Sequence, residues 1–201
     1  YESKLEGLGS PELVKAMRNG DWDLFAGQFF SEWNPEKHIY EPFSIPKAWP
    51  RFRAIDWGYS DPLCCLWFAV GPDNHIYVYR ELYRNRMTDP EYAQLIAAMS
   101  KYPDGTAEQI SYTVGDPGSF GVETPETGKT RYETFAMNGV AVMPADNSRS
   151  EGWSVVREYL RLRDYMEGKS PWVHISRDCP QIIRTLPALV HSSRQPGNVD
   201  D

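Results

Sequence analysis

The sequence predicts an α/β domain in which helices cover both faces of a mixed central sheet, and three observations predict it. Three strand-like runs, Phe52–Trp57, Leu63–Val70 and Ile76–Tyr83, follow closely enough to form an antiparallel meander. Helical and strand periods then alternate along the rest of the chain, the mark of a three-layer α/β arrangement. Finally, 201 residues with 41% hydrophobic and 13% aromatic content suffice for one domain with an appended arm and argue against disorder.

Residues 1–50 read as an N-terminal arm. Ser10-Pro11 opens a short helix with proline at its first position, Leu13, Val14 and Met17 supply an apolar stripe, and Gly20 ends it. Trp22, Phe25, Phe29, Phe30 and Trp33 follow, then prolines at 35, 42, 46 and 50. These aromatics are expected to pack the arm against the domain. From Arg51 the pattern is regular. Leu63 to Val70 is a continuous apolar run, as in a strand covered on both faces. Gly71-Pro72-Asp73-Asn74 is a turn into the returning strand. Thr88-Asp89-Pro90-Glu91 is a capping box, and Tyr92, Leu95, Ile96 and Met99 repeat at helical spacing behind it.

Ile110, Tyr112 and Val114 alternate with Ser111 and Thr113, a strand that ends in Gly115-Asp116-Pro117-Gly118. The pattern next predicts a helix over 131–138 ending at Gly139, and a short strand over 140–143. Ser148 with Glu151 reads as a second capping box. It opens a helix with Trp153, Val156 and Leu160 on one face and Arg149, Arg157, Arg161 and Arg163 elsewhere. A strand over 172–175 and a helix over 179–186 complete the series, with no internal repeat.

Composition excludes several classes. With 28 acidic and 21 basic side chains, a net charge of −7 speaks against a protein that coats nucleic acid. It leaves room for an enzyme that holds metal with carboxylates and meets phosphates locally. Cys64, Cys65 and Cys179 make no disulfide framework and read as buried, reduced thiols suited to a cytosolic protein. His38, His75, His174 and His191 lack ligand spacing, which argues against structural zinc. No apolar run reaches the roughly 18 residues of a membrane span, and no secretory signal opens the chain. The chain starts at Tyr1 without Met and stops at Asp201, from which a piece of something longer is expected.

Two carboxylates carry the functional reading. By period two, Asp56 shares a strand face with Phe52 and Ala54, and Asp116 continues the face of Ile110, Tyr112 and Val114. A right-handed crossover through the 89–101 helix would lay the second strand parallel to the first. Asp56 and Asp116 would then sit side by side at the carboxyl edge, where open α/β sheets place ligands. Two such charges repel unless a cation joins them, and hard oxygen donors favour Mg²⁺ or Mn²⁺. Ions of this kind can serve phosphodiester hydrolysis. The alternatives at this point are that Asp116 before Pro117 only initiates a turn, and that Asp56 caps a loop or pairs with Arg53. Asp61 before Pro62 reads as a turn residue. The arginines of the 149–163 helix are either a solvated face or phosphate contacts. Gly128-Lys129-Thr130 resembles the end of a phosphate-binding loop, but G-x-x-x-x-G-K-S/T needs glycine at 123, where the chain has Glu123.

The runs FRAIDWGYSDP, VGDPGSF and NGVAVMPADNSRSEGWSVVREYL together resemble the C-terminal nuclease domain of the phage terminase large subunit. The opening PELVKAMRNGDWDLFAGQFFSEW resembles the segment joining the ATPase domain to that nuclease. The resemblance covers nearly the whole chain, in the family's order. It implies a ribonuclease H-like fold: a mixed central sheet, three antiparallel strands then parallel ones, flanked by helices. It also implies a divalent-metal-dependent endonuclease that cuts concatemeric double-stranded DNA during packaging, with two Mg²⁺ or Mn²⁺ ions. Asp56 and Asp116 would be the first and second acidic ligands. The third belongs to a D-H-x-x-D-A-L-R-Y-like helix that the chain lacks, so it is expected beyond Asp201, with Asp200 and Asp201 as weak substitutes at best. Implied partners are an ATPase domain in the same parent chain, for which residues 1–50 would be the linker and 51–201 the nuclease domain, together with the portal and the small terminase subunit. The implied location is the host cytoplasm, for a bacteriophage or prophage protein outside the mature virion and away from membranes. Arg149 and Arg157 stand as candidate DNA contacts. The rival readings are another ribonuclease H-like nuclease of resolvase or integrase type, and a non-catalytic docking module of the packaging motor.

Overall fold

The structure, a computed structural model, describes residues 28–124, 128–166, 168–193 and 197–199. The helix expected after Ser10 lies outside them. Phe29, Phe30 and Trp33 are buried, followed by α1 (Pro35–His38), capped by the Asn34 side chain, and β1 (Ile39–Tyr40). The meander is then β2 (Arg51–Asp56), β3 (Leu63–Val70) and β4 (Ile76–Arg84). α2 (Asp89–Met99) opens on the expected box, with the Glu91 carboxylate accepting the Thr88 N–H at 2.7 Å. It returns the chain to β5 (Ile110–Gly115), parallel to β2. α3 (Pro117–Phe120), α4 (Arg131–Met137), β6 (Met143–Pro144) and α5 (Arg149–Leu160) follow. The chain continues through the hairpin β7 (Arg163–Tyr165) and β8 (Gly168–Ser170), then β9 (Val173–Ser176) and α6 (Pro180–Thr185).

Among the described residues, seven strands form one sheet in the order β1-β9-β4-β3-β2-β5-β6. Its centre is antiparallel and both flanks are parallel, the mixed ribonuclease H-like sheet the sequence predicts. One face packs Ile55, Leu63, Cys65, Trp67 and Leu82 against Tyr92, Ala93 and Ile96 of α2 and Phe135 of α4. The other buries Val78 and Ile175 beneath Phe29, Phe30, Trp33, Leu160 of α5 and Cys179. Each large apolar side chain so buried contributes roughly 1.5–3 kcal/mol. The thiols are inert: burial pushes Cys64 and Cys179 up to about 12.

Two arginines point into the first face. Arg53 is 5% exposed. It donates from Nε to Thr113 Oγ1 at 2.9 Å and from Nη1 to Ser100 Oγ at 2.8 Å. Arg51 is held by the carbonyl oxygens of Ile45, Pro46, Lys47 and Trp49. Each buried cation is thus clothed in oxygen acceptors, as burial demands.

Three expectations are corrected. The strand expected over 140–143 is only Met143–Pro144, because Val140 is consumed in the core and Pro144 has no N–H with which to extend a ladder. The helix expected over 149–163 stops at Leu160, and Arg163 lies in β7. The Ser148–Glu151 capping box does not form; the Ser148 N–H donates instead to Asp146 Oδ1 at 2.9 Å. Within residues 1–50, Ile39–Tyr40 adds β1 to the sheet's edge beside β9.

Far from the β2–β5 edge, His75 Nδ1 and His174 Nε2 meet at 3.0 Å. Burial, then the neighbouring His75, lowers His174 to about 4. Its folded value lies below the unfolded 6.5, so the stabilisation is present above pH 6.5 and lost as pH falls toward 4. We expect stability to drop by roughly 1–3 kcal/mol across that window. Urea denaturation against pH should show that part of the drop disappear in His174→Gln.

Candidate metal centre

The parallel register pairs Ala54 with Val114 and Ile55 with Gly115, so the next residue on each strand is an aspartate. Asp56 and Asp116 therefore end neighbouring strands at one carboxyl edge. Along β2 the buried positions are Arg51, Arg53 and Ile55. Asp56 lies on the opposite face, with Phe52 and Ala54, which removes pairing with Arg53 as an explanation for it. Both carboxylates line one cavity of ≈ 280 Å³, with Ala54, Leu66 and Asp146. A second, of ≈ 470 Å³, shares Asp116 and Asp146 and runs along α5.

Charge in this corner is unbalanced toward the acids. Burial raises the Asp56 carboxyl above its usual range, the Asp116 charge adds to that, and Arg149 opposes both. A carboxylate penalised by burial and by a like charge gains most from an added cation. The donor set is hard oxygen from carboxylates, with no imidazole at either strand end, which suits Mg²⁺ or Mn²⁺.

Asp116 also has a local structural role. It is the N-cap of α3, its Oδ2 accepting the Ser119 N–H at 2.7 Å. This agrees with the turn reading and coexists with a ligand reading, since a carboxylate has further lone pairs. Gly115 permits the sharp change from strand to helix: a Cβ there would lie 2.8 Å from the Phe120 ring. Arg131 fixes the corner from behind. Its Nη1 donates to the Ser119 carbonyl at 2.6 Å, and its guanidinium lies 3.6 Å from the centroid of the Trp57 ring. It pairs with Asp89 at 3.4 Å, and Asp89 accepts from Trp57 Nε1 at 2.8 Å. The ends of β2 and α3 and the starts of α2 and α4 are thereby tied together.

Of the predicted residues, the structure brings Asp56, Asp116 and Arg149 to one corner. Arg157 is elsewhere: its guanidinium sits 4.3 Å from the Phe29 ring centroid and 3.8 Å from Glu32. Asp146 was not singled out from sequence. It follows β6 at the same edge, as Asp116 follows β5, and its spacing to Ser148 is that of an Asx-turn. Among the described residues no three His, Cys, Asp or Glu side chains converge as a metal cluster, and Asp200 and Asp201 lie outside them. Lys129-Thr130 starts α4 through a capping box with Glu133, in keeping with the rejection of a phosphate loop. No described helix is long and apolar enough to cross a membrane.

No family model matches the sequence, and no curated protein matches it. Solved structures do match the fold. The nuclease domain of the P22 large terminase superposes with a TM-score of 0.66 at 15% identity, covering 88% of this chain and 84% of that domain. The large terminase of the thermophilic bacteriophage D6E, in complex with ATP-γ-S, gives 0.65 at 14% identity over 87% of this chain. This chain spans 41% of its length. The large terminase nuclease of the thermophilic phage G20c, with bound cobalt, gives 0.57 at 13% identity, covering 88% of each chain. The chain has the ribonuclease H-like fold of large terminase nuclease domains.

Because asparagine caps a helix as well as aspartate does, Asp116→Asn should leave stability within about 0.5 kcal/mol, whereas Asp116→Ala should cost about 1 kcal/mol. Chemical denaturation of the three proteins separates the capping role from the charge.

Proposed function

We propose that the chain is the metal-dependent endonuclease domain of a viral DNA-packaging terminase, cutting concatemeric double-stranded DNA. The observation that carries this reading is the pair Asp56 and Asp116, set abreast by the β2–β5 register at the edge of a fold shared with terminase nucleases. The cobalt bound to the G20c nuclease supports a divalent ion; Mg²⁺ or Mn²⁺, two ions in all, is the physiological choice the oxygen donors favour. Asp56 and Asp116 would hold the ions, which when bound would supply Lewis acidity toward a phosphodiester.

The chain's own part is positional and electrostatic. Asp116 is oriented by Ser119, and α3, which it caps, is braced by Arg131. Arg149, which acts on Asp56 from the start of α5, would meet the phosphate and offset its charge. In this reading Arg157 supports the packing of Phe29, Phe30 and α5 rather than DNA. The implied partners are DNA, an ATPase domain in the same parent chain, the portal and the small subunit, all in the host cytoplasm.

Nicking of supercoiled plasmid with Mn²⁺, Mg²⁺ or chelator is the direct test. We expect cutting that needs metal and falls at least about 100-fold in Asp56→Asn and in Asp116→Asn. Metal-independent cutting, or activity surviving both substitutions, would remove the assignment; a folded protein that never cuts would favour a docking module. Arg149→Ala should also lower the salt slope of DNA affinity by about one, with Arg157→Ala leaving it unchanged.

A further inference from the structure

Beyond the carboxylate pair, the larger cavity has a composition of its own. Its lining joins the charged Asp116, Asp146 and Arg149 to Gly152, Trp153 and Val156 of α5, which form an apolar wall. The wall is rigid, because Trp153 packs edge-on against Phe29 and Phe30 at 5.5 and 5.9 Å and donates from Nε1 to Asn198. The cavity measures ≈ 470 Å³, and cavities of roughly 300–1,000 Å³ hold one organic molecule of drug size, the size class of a single nucleotide.

Gly152 is the odd residue. A glycine inside a helix is unfavourable relative to alanine, and nothing lies within 4 Å of where its Cβ would be. Neither backbone approach nor a positive φ calls for it. Its effect is to leave open space on the helix face between Arg149 and Val156, its neighbours one turn away on either side.

We propose that this cavity is a subsite for one nucleoside of the strand being cut, adjoining the scissile phosphate, and that Gly152 keeps it open. The inference rests on the nuclease reading above. The phosphate lies at the Asp116–Arg149 end, and the deoxyribose and base lie against Trp153 and Val156. A duplex step whose base turns into the cavity unstacks from its neighbours, at a cost regained by burial on the indole.

The test uses Gly152→Ala and Gly152→Leu, since an added side chain enters open space and leaves the fold intact. Melting should rise by about 2–4 °C in Gly152→Ala and stay at or above the parent value in Gly152→Leu. DNA affinity is read by fluorescence anisotropy with a labelled oligonucleotide duplex in Ca²⁺, and cutting by plasmid nicking in Mn²⁺. Weakening of about tenfold or more in Gly152→Leu, with Gly152→Ala near the parent, is the expected result. Equal affinity and equal cutting in a stably folded Gly152→Leu would overturn the subsite while leaving the nuclease reading standing. A parent chain that binds the duplex but never cuts would count against the nuclease reading alone, with the anisotropy comparison still deciding the cavity. A parent chain that neither binds nor cuts would overturn both.

Discussion

The parallel pairing of β2 with β5 is the constraint on which everything else depends. It is fixed from the buried side of the sheet. Arg53 and Thr113 are direct register partners, and the Arg53 guanidinium bonds the Thr113 hydroxyl. Ser100, at the end of α2, accepts from both Arg53 and Trp67. A buried network of this kind is favourable only when its members are satisfied together. Once it is made, the two strand ends are level, and Asp56 and Asp116 meet on the opposite face. Core chemistry on one side of the sheet thus sets site geometry on the other.

Much of this was legible in the sequence. β3 was visible as an uninterrupted apolar run, and α2 as a capping box with a helical stripe behind it. A right-handed crossover through α2 could lay β5 beside β2, and the observed pairing realises that option. What escaped the reading was short or polar. β1 is two residues whose pairing is entirely non-local, with β9. The β7–β8 hairpin is built from residues such as Arg163, Asp164, Gly168 and Lys169, which carry no apolar alternation.

The region around Asp146 shows how local chemistry competes. Ser148 and Glu151 have capping-box spacing, but Asp146 is two residues ahead and captures the Ser148 N–H first. Sequence alone ranks the two options poorly, because both satisfy the same donor. Arg157, a candidate DNA contact in the sequence, shows a related competition. An arginine stem readily covers aromatic surface, and only the fold reveals that Phe29 and Phe30 lie beneath it.

β2 also carries opposite charges on its two faces, arginines inward and an aspartate outward. Since side chains alternate strictly, a slip of one residue in its pairing would reverse every one of them. Asp56 would be driven into the layer that holds Ile55 and Phe120, and Arg53 would lose its acceptors and turn out onto the face that now carries Phe52 and Ala54. Such a buried, unpaired carboxylate is costly enough to disfavour the mispaired state outright. The charges on its two faces therefore favour the native alignment over its nearest slip.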